Sequence, residues 1–210
     1  MRLLAFAVLL SSTIASADSR LPAHYAALFD AAATWTYDLE RTTWDYDQIQ
    51  HEANVRKWKK KTEKLAPITC KVLRVARFGV RALAEITCDR DEGWKFPIAG
   101  TYLASPSGLR RYNNVAWPTT ADDLGADTEH ELLVAAAPKA RTKTTREGEQ
   151  GGPRYTLTLS VIRERGAWCT TQMTRGAPHD GEVTLCYAGG IVRGRNDVSG
   201  ELDDLRYRAR

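Results

Sequence analysis

The chain has 210 residues, 43% hydrophobic and 27% charged, with 30 Lys+Arg against 26 Asp+Glu and four cysteines. That length and apolar share can bury a real core, so wholesale disorder is excluded. The 15 glycines show no three-residue rhythm, which excludes collagen, and a mean hydropathy of -0.42 with one long apolar run excludes a multi-pass membrane protein.

That apolar run comes first. Met1-Arg2 gives a short positive start, Leu3 to Leu10 is continuously apolar, and Ala15 and Ala17 supply the small residues of an A-x-A cleavage site. Residues 1–17 therefore read as an export signal, leaving a mature chain at 18–210 in the periplasm or outside the cell, without a transmembrane segment. Removing Arg2 lowers the formal charge from +4 to +3, too small an excess to specify nucleic acid as a partner.

All four cysteines lie beyond that signal. An even count in an exported chain reads as two disulfides. Facing residues of a hairpin have a constant index sum, which for Cys70 and Cys88 centres the turn on Gly79 and for Cys169 and Cys186 between Ala177 and Pro178. Both centres fall on turn chemistry, so the pairs are Cys70–Cys88 and Cys169–Cys186. Each closed loop is worth about 3 kcal/mol in the chain-entropy model. No C-x-x-C spacing supports a metal site.

Taken in order, residues 19–33 place Tyr25, Leu28, Phe29 and Ala32 at helical spacing, predicting a short amphipathic helix. From Thr34 the period becomes two, with Trp35, Tyr37 and Leu39 alternating with polar residues. Strands follow at 68–77, 80–88, 96–104 and 108–113, then near 155–159 and at 167–174, 182–188, 189–195 and 200–207. Thr120 to Asp123 fits a capping box, and Leu132, Leu133 and Ala136 form an apolar stripe, predicting a short helical insert at 121–137. Residues 138–153 have almost nothing to bury and read as a polar linker. The fold class is mainly β: an antiparallel meander forming a barrel, half-barrel or two-sheet sandwich. Similar cysteine offsets suggest a two-fold repeat, about 34–113 and 154–208, within one β domain.

The chemistry is mostly negative. His24, His51, His130 and His179 sit in no H-E-x-x-H motif, no serine sits in G-x-S-x-G, and no phosphate loop occurs. With the cysteines paired, no thiol nucleophile remains, so neither catalytic residues nor a cofactor are assigned. Acids around His130 (Asp122, Asp123, Asp127, Glu129, Glu131) lack EF-hand order and read as charges at a helix start rather than a metal site. The run Arg56, Lys57, Trp58, Lys59, Lys60, Lys61 is a candidate anionic-ligand site, for lipid headgroups or acidic glycan, though lysines also guard sheet edges. Trp94 and Trp117 adjoin Gly93 and Pro118 and are candidate pocket-mouth aromatics. The expectation is a disulfide-stabilised binding protein for a small or amphipathic ligand or an anionic envelope component. The alternatives are a protein-interaction module such as an inhibitor, and a hydrolase with a dispersed site.

Overall fold

The computed structural model describes residues 21–46, 58–90, 96–114, 116–149, 154–176, 180–198 and 203–210. The export signal, His51, Arg56, Lys57, Trp94 and His179 lie outside them.

Twelve strands form one antiparallel sheet: β1 Thr34–Tyr46, β2 Trp58–Phe78, β3 Arg81–Cys88, β4 Gly100–Ser105, β5 Gly108–Arg111, β6 Glu131–Ala135, β7 Thr142–Glu149, β8 Arg154–Glu164, β9 Ala167–Arg175, β10 Gly181–Ala188, β11 Gly190–Val198 and β12 Asp203–Ala209. Their spatial order, β6-β5-β4-β3-β2-β1-β12-β11-β10-β9-β8-β7, is a meander except at the centre, where β1 pairs with β12. Among the described residues no ladder joins β6 to β7, so the sheet is not closed.

Alternation decides which face is buried. Tyr37 and Leu39 of β1 and Leu205 and Tyr207 of β12 point inward, while Asp38 and Arg206 between them, and Arg208 after Tyr207, are exposed. At the centre, the rings of Tyr37, Phe96 and Tyr207 meet edge to face at centroid distances of 4.9 to 6.2 Å. The Tyr37 hydroxyl crosses β12 to donate to the Ile191 carbonyl at 2.8 Å.

Both disulfides form as the spacing requires, Cys70 with Cys88 and Cys169 with Cys186, each joining directly opposed residues of one hairpin. A bulge in β2 between Val72 and Arg74 adds one residue, moving the first turn's centre to lie between Gly79 and Val80. Gly79 takes φ +61 there, a left-handed conformation that glycine adopts without strain. Farther along β2 the pairing skips again: one residue of β1, Asp38, stands opposite Ala66 and Pro67. Proline has no N–H to give a ladder, so the bulge is where a long strand tolerates it.

Three expected elements differ. Instead of a helix at 19–33 there is a single 3-10 turn, Ala26–Phe29, because one turn suffices to bury Tyr25, Leu28 and Phe29 against the sheet. The insert at 121–137 is two 3-10 turns, Asp122–Leu124 and Asp127–Glu129, followed by strand β6, where Leu133 and Val134 are buried. The polar stretch expected as a linker contains β7. It is an edge strand with exposed side chains over 142–147, and its Lys143, Arg146 and threonines fit an edge kept from pairing with other chains.

Gly194 of β11 faces Tyr207 of β12, and a Cβ at this position would lie 2.3 Å from the Tyr207 ring. Gly194→Ala is therefore expected to push Tyr207 out of the central aromatic group and cost about 1–3 kcal/mol, read as a lowered urea midpoint.

Candidate functional site

Because the ends of the sheet do not pair, its inner surface opens between them. The sheet curls so that β5 and β6 face the inner side of β8, β9 and β10, and two adjoining cavities lie between. One, of about 210 Å³, is walled by Arg111, Glu131, Leu133, Leu159, Thr170, Gln172, Val183 and Leu185, with Pro97. The other, of about 140 Å³, lies nearer the edges, among Leu132, Leu157, Thr144 and Arg146. Glu131, Leu159 and Gln172 line both. Leucine and valine make up about half of the lining, and Arg111, Glu131, Thr144, Arg146, Thr170 and Gln172 make up most of the rest.

The polar groups are set by strand parity. On β9, Cys169 turns to the outer side with its disulfide partner, so Thr170 and Gln172 alternate with it onto the inner side. Arg111 ends β5 and is held in place by main-chain acceptors. Its guanidinium donates to the carbonyls of Ala99, at 2.9 Å, and Pro97, and lies 4.6 Å over the Tyr102 ring. Gly100 makes room for it, since a Cβ there would meet Arg111 Nη1 at 2.4 Å. Glu131 is directly opposite Arg111 in the β5–β6 register.

Deeper in, Tyr37, Tyr102, Tyr187 and Tyr207 sit with their phenols pushed above the ordinary range, chiefly by burial. Tyr102 donates to Ile98 at 2.6 Å. The Tyr207 hydroxyl, on a side chain 2% exposed, has no hydrogen-bond partner among the described residues. Tyr187 is fully buried, two residues beyond the cavity-lining Leu185 on β10.

The two described histidines are committed elsewhere. His24 shares a hydrogen bond with the Ala135 carbonyl at 3.2 Å, and buried His130 with the Leu124 carbonyl at 2.7 Å. Among the described residues, no group of three His, Cys, Asp or Glu side chains is placed to hold a metal ion.

Two of the acids around His130, Asp123 and Asp127, perform structural work. Asp123 accepts the N–H groups of Thr119 and Thr120, both at 2.8 Å, which pushes its carboxyl down to about 2. Asp127 accepts from Ser105 at 2.6 Å and Ser107 at 2.7 Å and pairs with Arg81 at 3.0 Å, tying the β4–β5 turn to β3.

Of the sequence-predicted residues, Trp58 and Lys59 open β2, and Lys60 and Lys61 follow, exposed. Trp117 is half-buried against Leu83, Leu103, Tyr112 and Leu124, with the Arg74 guanidinium 3.9 Å over its ring. It does not line either cavity of the cleft. Sequence reasoning missed Arg111, Glu131 and Gln172, which lie on three strands and share no local motif. No protein-family model, curated protein or solved structure matches this chain.

Asp127 predicts a pH dependence. Burial alone would favour the neutral acid; the Ser105 and Ser107 hydroxyls, helped by Arg81 and Arg110, outweigh it and hold the carboxyl below its ordinary value. A value depressed by folding contributes stability above the unfolded value, about pH 4, and that contribution disappears as pH falls through the folded value. Between about pH 5 and about pH 3 the urea midpoint of the wild type should therefore fall more steeply than that of Asp127→Asn. Parallel curves for the two proteins would contradict this.

Proposed function

We propose that the chain is an exported binding protein whose curled sheet, an incomplete barrel, takes a small amphipathic ligand between edge strand β6 and the inner face of β8 to β10. One observation carries this reading: two adjoining cavities, lined in about equal parts by leucine or valine and by polar side chains, meet at Glu131, Leu159 and Gln172, close to an already positioned Arg111. Together the cavities are at the lower end of the range of small-molecule sites, about 300 to 1,000 Å³, and their mixed apolar and polar lining suits a ligand with both characters. The apolar part of a ligand fits against Leu157, Leu159 and Leu132. Its polar end fits near Gln172 and Thr170, whose amide and hydroxyl can donate or accept.

Export is supported by the two disulfides, which fit an oxidising compartment. A cleft that opens along the unpaired edges, rather than through a closed end, also gives a route of entry that needs no unfolding. Separation of β6 from β8 and β9 breaks no ladder, because among the described residues the ladder of β6 is with β5.

The test uses N-phenyl-1-naphthylamine, an uncharged apolar fluorophore. The folded wild type should bind it saturably, with enhanced emission. Leu159→Glu, which places a carboxylate where both cavities meet, should weaken binding on the order of tenfold or more. Leu159→Phe keeps the wall apolar while filling space, and should reduce binding without abolishing it. Absence of saturable binding to the folded wild type, or binding unaffected by both substitutions, would overturn the proposal.

A further inference from the structure

Among the described residues, the wall of the larger cavity holds one acid and one base, Glu131 and Arg111. They stand directly opposite each other in the β5–β6 register, where side chains on one face lie about 5 Å apart at Cβ and opposite charges ordinarily meet. Here they do not meet. The guanidinium donates instead to the Ala99 and Pro97 carbonyls and stacks on the Tyr102 ring. Those two bonds use two of its five N–H groups. Among the described residues no carboxylate forms a salt bridge with Arg111, and Glu131 has neither a salt bridge nor a side-chain hydrogen bond.

Both side chains are half-buried, so a ligand entering the cavity displaces water from them and must replace what that water supplied. A purely anionic head at Arg111 would leave Glu131 desolvated and unpaired, and a cationic head at Glu131 would do the same to Arg111. An uncharged head can hydrogen-bond to each but offsets neither charge. A head with both charges satisfies both. Gln172 and Thr170, which line the same cavity from β9, offer donors and acceptors to either part of such a head. Arg146, the further base of the smaller cavity, is exposed on edge strand β7 and keeps its hydration.

We propose, resting on the cleft as the ligand site, that the ligand is a zwitterionic amphiphile. Its head carries a protonated amine and an anionic group on neighbouring atoms, the ammonium against Glu131 and the anion against Arg111. α-Amino acids and phosphoethanolamine share this chemistry, and from either head an apolar tail runs into the smaller cavity along Leu157 and Leu159.

The experiment is displacement of N-phenyl-1-naphthylamine from the full chain by probes that share an octyl chain. Octylphosphoethanolamine and 2-aminodecanoic acid are the zwitterions, octyl phosphate the anion, octylamine the cation and octyl glucoside the uncharged head. At least one zwitterion should displace the fluorophore at about tenfold lower concentration than any of the other three, and the tighter of the two identifies the anion as phosphate or carboxylate. Glu131→Gln should remove that advantage and make octyl phosphate at least the equal of the zwitterions; Arg111→Gln should do the same for octylamine. Because Arg111 also holds the main chain at Pro97 and Ala99, Glu131→Gln decides alone if Arg111→Gln does not fold. Failure of the folded wild type to bind the fluorophore would overturn the cleft and the head group together. Saturable fluorophore binding with zwitterions no better than the other probes, or an advantage unchanged in folded Glu131→Gln, would overturn the head group and leave the cleft standing.

Discussion

The pairing of β1 with β12 is the contact on which the rest depends. Every other ladder joins strands that follow one another along the chain; this one brings Tyr37 beside Ala209 and Leu39 beside Tyr207. Without it the chain would be two six-strand meanders, and the β7–β12 half would keep few large buried apolar side chains of its own. With it, Tyr37, Phe96 and Tyr207 share one core, and the bare backbone at Gly194 lets the Tyr207 ring lie flat on its neighbour strand. Long-range pairing costs loop-closure entropy before it gains contacts, and the two disulfide hairpins reduce what remains to be ordered on either side.

Joining the halves at the centre leaves β6 and β7 as the ends. These consecutive strands are separated by only a short connection, yet no ladder joins them, and the edge of β6 lies by the inner face of β8 and β9. The cleft is a consequence of that offset. Its polar groups are held by the same frame: Arg111 by main-chain carbonyls that Gly100 allows it to reach, and Thr170 and Gln172 by alternation with a disulfide cysteine. On the opposite side of the sheet, the same alternation that buries Leu205 and Tyr207 turns Arg206 and Arg208 outward.

Much of this was legible in the sequence because it is local. The disulfide pairing follows from index sums within hairpins, and a single bulge displaces the first turn by half a residue. The inward run of β1 is visible in Trp35, Tyr37 and Leu39. What was not legible is governed by distant neighbours. Leu132, Leu133 and Ala136 fit a helical stripe as well as a strand, and β5 decides for the strand. The polar β7 has nothing to bury, and only β8 makes it a strand. The cleft has no motif because its polar residues meet through curvature, not spacing. A signal did exist at β9, where the face opposite Cys169 reads Thr170, Gln172, Thr174 in a chain whose other inward positions are largely apolar.

Amide hydrogen exchange followed residue by residue tests the central claim most directly, that the sheet is zipped in the middle and open at its ends. Amides shared between β1 and β12 should be the last to exchange, and those on the free edges of β6 and β7 among the first in any strand. Equal, strong protection of β6, β7 and the centre would mean that the ends are paired, and would contradict an open cleft between them.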